Sequence, residues 1–245
     1  MADSPVSATG PAHPYFPLDA VIQGYVANDK NLTELMLKFG AVTGAVVGSA
    51  LWLTTRSKHP LRAIDRFAAG WFALCGFLHV AFEGYYLVYR HQLPGMSTLF
   101  AQLWKEYALS DSRYLTHDVF TISVETITAP QLLFLFFFSC LQIAWGPLCL
   151  FTVIGIIRNS RSRHVAQVIA CTAHAYGVSL YYLTNYNESR MHGVAYSRPE
   201  MLYFWIYYVG FNFPWAVVPL VLLHDSWRQI GCAFAALDEK KRKEE

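Results

Sequence analysis

Apolar runs long enough to cross a membrane constrain this chain more than any other feature. A membrane-spanning helix needs about 20 mostly apolar residues, and runs near that length or longer cover residues 35–53, 67–89, 120–157, 165–183 and 201–223. Only 15% of the 245 residues are charged and 54% are hydrophobic, whereas soluble domains have about 25% charged residues. The sequence therefore predicts an all-α integral membrane protein, a bundle of five transmembrane helices.

The composition also excludes several classes of protein. With 19 Lys+Arg and 17 Asp+Glu the net charge is only +2, which is not the strongly basic balance of a nucleic-acid-binding domain, and the chain is too apolar to be disordered. We find no internal repeat, which argues against a transporter built from duplicated halves. Residues 1–15 lack the pattern of a cleavable signal peptide, so we expect insertion to depend on the first spanning helix.

Basic residues alternate between the loops that join these helices. They lie between the first and second helices (Arg56, Lys58, Arg62 and Arg66), between the third and fourth (Arg158, Arg161 and Arg163) and after the fifth (Arg228 and residues 240–243). Because basic loops face the cytosol, the pattern predicts a lumenal N-terminus and a cytosolic C-terminus. We divide the chain into a polar N-terminal segment (1–30), a five-helix domain (31–226) and a charged cytosolic tail (227–245).

Short signals near the helix ends bear on processing and location. Asn31 and Asn187 each begin a glycosylation sequon on the predicted lumenal side, but both lie so close to the membrane that we expect neither to be modified. Lys241 and Lys243 stand fifth and third from the end of the sequence. This spacing resembles a cytosolic dilysine retrieval signal for the endoplasmic reticulum, and a plain solvated tail is the alternative interpretation.

The third apolar run is too long for one span, and no polar turn divides it. Residues 130–142 are rich in Phe, Leu and Ser, the residues that a pyrimidine-rich tract encodes. Our hypothesis is that this segment is an insertion translated from the end of an intron; a long or kinked helix is the alternative. Sequencing the transcript distinguishes the two.

Three predicted helices carry polar or aromatic pairs at helical spacing, so that the two side chains of each pair share one face. Ionisable groups inside a membrane cost several kcal/mol and are functional candidates for that reason, although any single one can instead be a hydrogen bond between helices. We expect the pairs to converge on one buried pocket. The pairs are His79 with Glu83, Glu125 with Thr128, and Asn212 with Trp215.

This set of side chains is suited to proton transfer. A buried carboxyl holds its proton and can act as an acid, while a second carboxylate can accept one. An aromatic face can stabilise a nearby cation by up to about 2 kcal/mol. The spacing of His79 and Glu83 resembles a metal-ligand pair, but their helix lacks a second histidine, and no cofactor motif is present. We therefore predict no metal and no cofactor, and a double bond moved through a carbocation.

Four separated strings carry a family resemblance. CGFLHVAFEGYY, QLWKEYALSDSRY, ETITA with WGPL, and LYFWIYYVGFNFPW occur in that order within residues 28–223 and resemble the emopamil-binding protein family of sterol 8,7-isomerases. The resemblance implies an endoplasmic-reticulum protein that converts 8-ene to 7-ene sterols without a cofactor. Carbon 9 of the sterol would gain a proton, carbon 8 would carry the cation and carbon 7 would lose a proton. It also implies binding of cationic amphiphilic inhibitors.

The resemblance assigns roles to ten residues and leaves several points open. The acid and base roles of Glu125 and of the His79–Glu83 pair can be exchanged, and the stretch 107–114 is either a solvated loop or a lid or scaffold. A non-catalytic sterol- or amine-binding protein of the same fold is the main alternative function, and a small channel is a distant one. The partners to consider include a second copy of the chain, in a homodimer. The roles are catalysis for His79, Glu83 and Glu125; substrate binding for Thr128, Asn212, Trp215 and Tyr107; and support for Asp111, Arg113 and Tyr114.

Overall fold

All regular structure in the described part of the chain is helical. The structure, a computed structural model, describes residues 13–116, 118–119, 121–122 and 145–245, and the predicted all-α fold is confirmed there. The helices are α1 (Leu32–Thr55), α2 (Ala63–Phe77), π1 (Leu78–Glu83), α3 (Gly84–Tyr89), α4 (Leu99–Tyr107), α5 (Trp145–Ile157), α6 (Arg163–His192), π2 (Leu202–Gly210) and α7 (Phe211–Glu244), with 3₁₀ turns at Leu93–Gly95 and Ser112–Tyr114.

Three helical stretches in the described residues are long and apolar enough to cross a membrane. They are Leu32–Thr55, Ala63–Tyr89 and Leu202–Glu244; the first two contain the predicted spans 35–53 and 67–89, and the third covers all but the first residue of 201–223. Helix α6 is long but more polar, and α5 has only 13 residues, so the count of five spans stays a prediction. The chain is thus a membrane protein with at least three candidate spans.

The last helix is longer than the apolar pattern predicts. The run of hydrophobic residues ends at residue 223, but α7 continues to Glu244. Ion pairs four residues apart link Lys243 to Glu239 and Lys240 to Glu244, and such pairs stabilise a solvated helix. The charged tail is therefore a helical extension of the last candidate span.

An ion-pair cluster joins three helices at one end of the bundle. The guanidinium of Arg62 lies 2.8 Å from Asp65 at the start of α2 and 2.7 Å from Asp225 in α7. Arg163, at the start of α6, lies 3.7 Å from Asp65. The cluster is at the end where the basic loops were predicted to lie, and it fixes the ends of α2, α6 and α7 relative to one another.

The N-terminal segment and α4 pack together at another surface of the molecule. The Tyr15 hydroxyl donates to the Lys105 carbonyl over 3.1 Å, and the Lys105 ammonium donates to the Val26 carbonyl over 2.7 Å. Tyr15 and Lys105 are 2% and 1% exposed. A polar stretch that hydropathy indicates as a loop is therefore a buried layer, because its cation finds a backbone acceptor there.

Residues 108–114 are buried, so the interpretation of the 107–114 stretch as a solvated loop is wrong, and its supporting role stays a prediction. Asp111 and Arg113 are almost fully buried and are joined by contacts of 2.6 Å (Nη2 to Oδ2) and 2.9 Å (Nε to Oδ1). Burial alone would lower the pKa of Arg113, but hydrogen bonding to Asp111 raises it above the ordinary value. The guanidinium also lies over the rings of Tyr181 and Tyr196, 5.5 and 5.3 Å from their centroids. The pair ties this stretch to α6.

Candidate active site

A cavity of about 600 Å³ lies between α1, π1, α4, α6 and the π2–α7 helix. Its size is within the range of small-molecule sites, about 300–1,000 Å³, and most of its lining is apolar or aromatic. The structure brings six of the ten predicted residues into its wall. These are His79, Glu83, Tyr107, Tyr114, Asn212 and Trp215.

His79 is held between a carboxyl group and a second imidazole. Its Nδ1 atom is 2.6 Å from Glu83 Oε2, and its Nε2 atom is 3.1 Å from His174 Nε2. His79 is 5% exposed, and the Glu83 side chain is 18% exposed. Both ring nitrogens are therefore engaged, and a proton can be passed between the carboxyl and the imidazole without solvent.

The helix that carries this pair is wound as a π-helix. Both residues lie in π1, which interrupts an otherwise continuous helix from Ala63 to Tyr89. Single π turns within α-helices often occur at functional sites. The Trp104 indole of α4 donates to the Phe82 carbonyl in π1 over 3.0 Å and stacks on the Phe82 ring at 4.6 Å. Aromatic packing from α4 thus supports the segment that positions His79 and Glu83.

Glycine allows α5 to approach π1 closely. A Cβ atom on Gly146 would lie 2.6 Å from Val80 Cγ2, and one on Gly76 would lie 2.9 Å from Leu150 Cδ2. This approach brings Cys149, one turn along α5, beside the imidazoles, with Sγ 3.8 Å from His174 Nε2. Ligand atoms of His79, His174 and Cys149 all lie within 4.8 Å of one another. They could hold a metal ion, and because they come from three different helices, no spacing within one helix indicates them.

A hydrogen-bonded group of amide and phenol side chains forms another part of the wall. Asn212 Nδ2 donates to the Tyr107 hydroxyl over 3.2 Å and to the Tyr208 carbonyl over 2.8 Å. The Tyr107 hydroxyl donates to that of Tyr181 over 3.2 Å. The Trp215 ring packs 5.0 Å from the Trp71 ring. These contacts fix the polar and aromatic groups that a bound molecule would meet.

Four predicted residues are not part of the described wall. Asp111 and Arg113 are not among its lining residues, but the Arg113 guanidinium lies over the ring of Tyr181, which is one of them. Glu125 and Thr128 lie outside the described residues, as does the suspected insertion 130–142. The structure therefore places one of the two predicted catalytic carboxyl groups.

The wall also contains residues that the sequence did not predict as site residues, and three of them carry polar groups close to the predicted ones. His174 and Tyr181 lie in α6, and Glu106 lies in α4. His174 carried a usable signal, because a histidine within an apolar run is a functional candidate. Tyr181 was interpreted as interfacial or packing, which is typical of most tyrosines in such helices, but here it accepts the Tyr107 hydrogen bond. No spacing or motif in the sequence indicated Glu106 as a residue of the cavity wall.

Glu106 gives a testable dependence of stability on pH. Burial raises its pKa above the ordinary 4.5, although a 3.0 Å hydrogen bond from Tyr207 and the charge of Arg198 oppose the shift. The folded state then binds the Glu106 proton more tightly than the unfolded state, so stability should fall as pH rises from 4.5 through the raised pKa. Glu106→Gln should flatten this fall in melting curves measured in detergent between about pH 4 and 8. The exposed variant Glu239→Gln should leave the pH dependence of stability unchanged. If Glu106→Gln also leaves it unchanged, the prediction is wrong.

Comparison with known proteins agrees with the resemblance seen in the four strings. A family model described as EXPERA (EXPanded EBP superfamily) matches residues 99–226. The 3-beta-hydroxysteroid-Delta(8),Delta(7)-isomerase of Cavia porcellus is 37% identical over 238 residues, 97% of each chain. The protein of the same name from Mus musculus is 35% identical over 236 residues, 96% of each chain.

A plant relative extends the similarity. The probable 3-beta-hydroxysteroid-Delta(8),Delta(7)-isomerase of Oryza sativa subsp. japonica is 30% identical over 227 residues, which are 91% of this chain and 94% of the relative. The family match covers about half of the sequence, and the relatives align along nearly all of it. The chain therefore belongs to the EXPERA family, the expanded EBP superfamily.

Proposed function

We propose that this protein is an enzyme that moves the 8-ene double bond of a sterol to the 7 position. The observation that carries the proposal is the hydrogen-bonded pair of His79 and Glu83 in the wall of an apolar cavity. Relatives at 35–37% identity over nearly the whole chain are named for this isomerisation. A water-poor cavity suits the reaction, because a carbocation there is protected from capture by solvent.

The His79–Glu83 pair delivers the proton that starts the reaction. A carboxyl and an imidazole 2.6 Å apart can share one proton, hand it to carbon 9 of the sterol and regain one at the end of the cycle. General acid–base groups placed in this way contribute about 10²–10⁴-fold to rate. The second carboxylate then accepts a proton from carbon 7, and the electrons of that C–H bond form the new double bond.

The rest of the wall stabilises and orients the intermediate. Trp215 offers an indole to the cation at carbon 8, and its packing on Trp71 limits its movement. Tyr107 and Asn212, held by their mutual hydrogen bond, contact the substrate. Glu125, oriented by Thr128 or Asn212, would supply the second carboxylate. The roles of Glu125 and of the His79–Glu83 pair remain exchangeable in this proposal.

The same cavity would bind cationic amphiphiles, and this supports the alternative function of a non-catalytic binding protein. Of the described residues, Glu83 and Glu106 bring carboxyl groups to its wall among aromatic rings. A protonated amine on an apolar body therefore matches both its charge and its surface. Such molecules would inhibit an isomerase by occupying the place of the cation.

We place the protein in the endoplasmic-reticulum membrane as a multi-pass protein with a lumenal N-terminus, a cytosolic C-terminus and a five-helix domain at 31–226. The basic loops support this orientation. The ion-pair cluster of Arg62, Asp65 and Asp225 lies at the predicted cytosolic end. The positions of Lys241 and Lys243 support a retrieval signal for the endoplasmic reticulum. The exposed surface of α1 offers room for contact with a second copy in a homodimer.

Expression in cells that lack their own sterol isomerase tests the proposal. Sterols extracted from these cells and separated by gas chromatography–mass spectrometry should shift from 8-ene to 7-ene forms. A second chain with residues 130–142 deleted should be tested beside the first. Conversion by either chain supports the enzyme, and conversion by the deleted chain alone identifies the segment as an insertion. Sterol binding without conversion by either chain would support the binding protein and overturn the isomerase.

A further inference from the structure

We propose that His79, His174 and Cys149 form a binding site for one zinc-like divalent metal ion, and that the bound ion inhibits the protein. Metal binding depends only on these side chains and can be tested without turnover. Inhibition also rests on the proposed function, because His79 is one of its catalytic residues.

The distances between the three side chains suit a tetrahedral ion. With metal–nitrogen bonds of about 2.0–2.1 Å and a metal–sulfur bond of about 2.3 Å, ligand atoms in such a site are about 3.3–3.6 Å apart. The two Nε2 atoms of His79 and His174 are 3.1 Å apart, and Cys149 Sγ is 3.8 Å from His174 Nε2. These two distances are within a few tenths of an ångström of the tetrahedral values, and the ligand atoms of all three side chains lie within 4.8 Å of one another.

The three ligands come from different helices that are already fixed. His79 lies in π1, Cys149 in α5 and His174 in α6. All three are buried, with exposures of 5%, 0% and 5%. The close approach at Gly146 sets the distance of α5 from π1. The site is thus largely preorganised, so little ordering of side chains would be needed on binding.

The surroundings of the site match the charge of the ion. The Glu83 carboxyl group is hydrogen-bonded to Nδ1 of His79. Metal-binding histidines usually have such an outer partner, which orients the Nε2 atom toward the metal. A divalent ion, the Cys149 thiolate and the Glu83 carboxylate sum to zero charge. Binding releases the Cys149 thiol proton, and each imidazole keeps one proton on Nδ1. In the described residues Nδ1 of His174 has no hydrogen-bond partner, so it is available for that proton.

The cavity gives the ion a route and a fourth ligand. His79 and His174 both line it, so an ion entering from the cavity reaches the two imidazoles, and a water can complete the tetrahedron. Once Nε2 of His79 is bonded to the ion, Nδ1 must keep its proton for Glu83. The pair can then no longer hand a proton to a sterol. The bound metal should therefore stop catalysis.

Cadmium is the probe for binding, because a thiolate–cadmium bond gives an ultraviolet charge-transfer absorption. We expect full-length, untagged protein in detergent to show this absorption with one ion bound per chain. Cys149→Ser should abolish this absorption. It should also weaken zinc binding, measured by competition with a chromophoric chelator, by on the order of 100-fold. The loss of a direct ligand is expected to reach at least the upper end of the roughly 10–100-fold loss that follows removal of an outer-shell partner. His174→Gln should also weaken zinc binding. Buried Cys171→Ser and exposed Cys232→Ser are the matched controls and should bind as the unmodified chain does.

A second measurement uses the unmodified protein and therefore does not depend on the folding of a variant. Zinc should protect Cys149 from alkylation in the unmodified protein, as read by mass spectrometry, while Cys171 is unaffected. The site is overturned if the unmodified chain binds no metal, if Cys149 is not protected, or if the cadmium absorption persists in Cys149→Ser. Zinc should lower turnover of the unmodified chain reversibly; binding without inhibition overturns the inhibitory role. A chain without any turnover contradicts the proposed function and leaves the binding result intact.

Discussion

Replacing Glu83 with glutamine should lower sterol isomerisation by about 10²–10⁴-fold, the usual contribution of a general acid or base, and should leave sterol binding nearly unchanged. Glutamine has the shape of glutamate and can still hydrogen bond to His79 Nδ1, but it cannot hold or return the transferred proton. Turnover of an 8-ene sterol by purified protein, together with binding of the same sterol, separates the two effects.

Two further variants sharpen this result. Glu200→Gln removes a surface carboxyl that pairs with Arg198 and should isomerise at the normal rate. Glu125→Gln should be as inactive as Glu83→Gln if both carboxyl groups take part. Full activity in Glu83→Gln would show that the proton comes from another group and would end the role proposed for the His79–Glu83 pair.

Replacing Asp111 with alanine should destabilise the protein by about 3–5 kcal/mol, because it leaves a buried arginine without its partner. Asp111 and Arg113 are 0% and 2% exposed, so water cannot replace the lost contacts. Unfolding in detergent by heat or denaturant measures the loss.

A surface ion pair and a double substitution are the comparisons for this variant. Arg198→Ala removes an exposed pair and should cost about 0–1 kcal/mol. Asp111→Leu with Arg113→Met removes both buried charges and should recover much of the loss, since replacing a buried pair with apolar residues is often neutral. If Asp111→Ala is no less stable than Arg198→Ala, the scaffold role of the 107–114 stretch is wrong.

The sequence predicts best what a single helix determines. The spans within Leu32–Thr55 and Ala63–Tyr89 follow from local hydropathy, and the contact of His79 with Glu83 follows from their spacing. Both properties depend only on residues close together in the chain. For the same reason the spacing of Asn212 and Trp215 in α7 indicated two neighbouring groups of the wall.

Features that depend on distant partners were not predictable in this way. Lys105 is buried because a carbonyl 79 residues away accepts a hydrogen bond from its ammonium group, whereas hydropathy alone indicates a loop there. His174 contacts His79 across 95 residues, so no spacing within one helix could join them. The approach of Cys149 to the imidazoles depends on Gly146 in α5, where a larger side chain would collide with Val80. Each of these is a property of packing between elements rather than of local pattern.

The helical extension of α7 has a practical consequence for imaging this small protein. Residues 231–244 are exposed and continue the last candidate span without a break, and at 1.5 Å per residue they form a rod of about 20 Å. A rigid soluble domain joined to that rod through a continuous helix would keep one orientation relative to the bundle. It would serve as an alignment marker for electron cryomicroscopy of a 27.8 kDa protein.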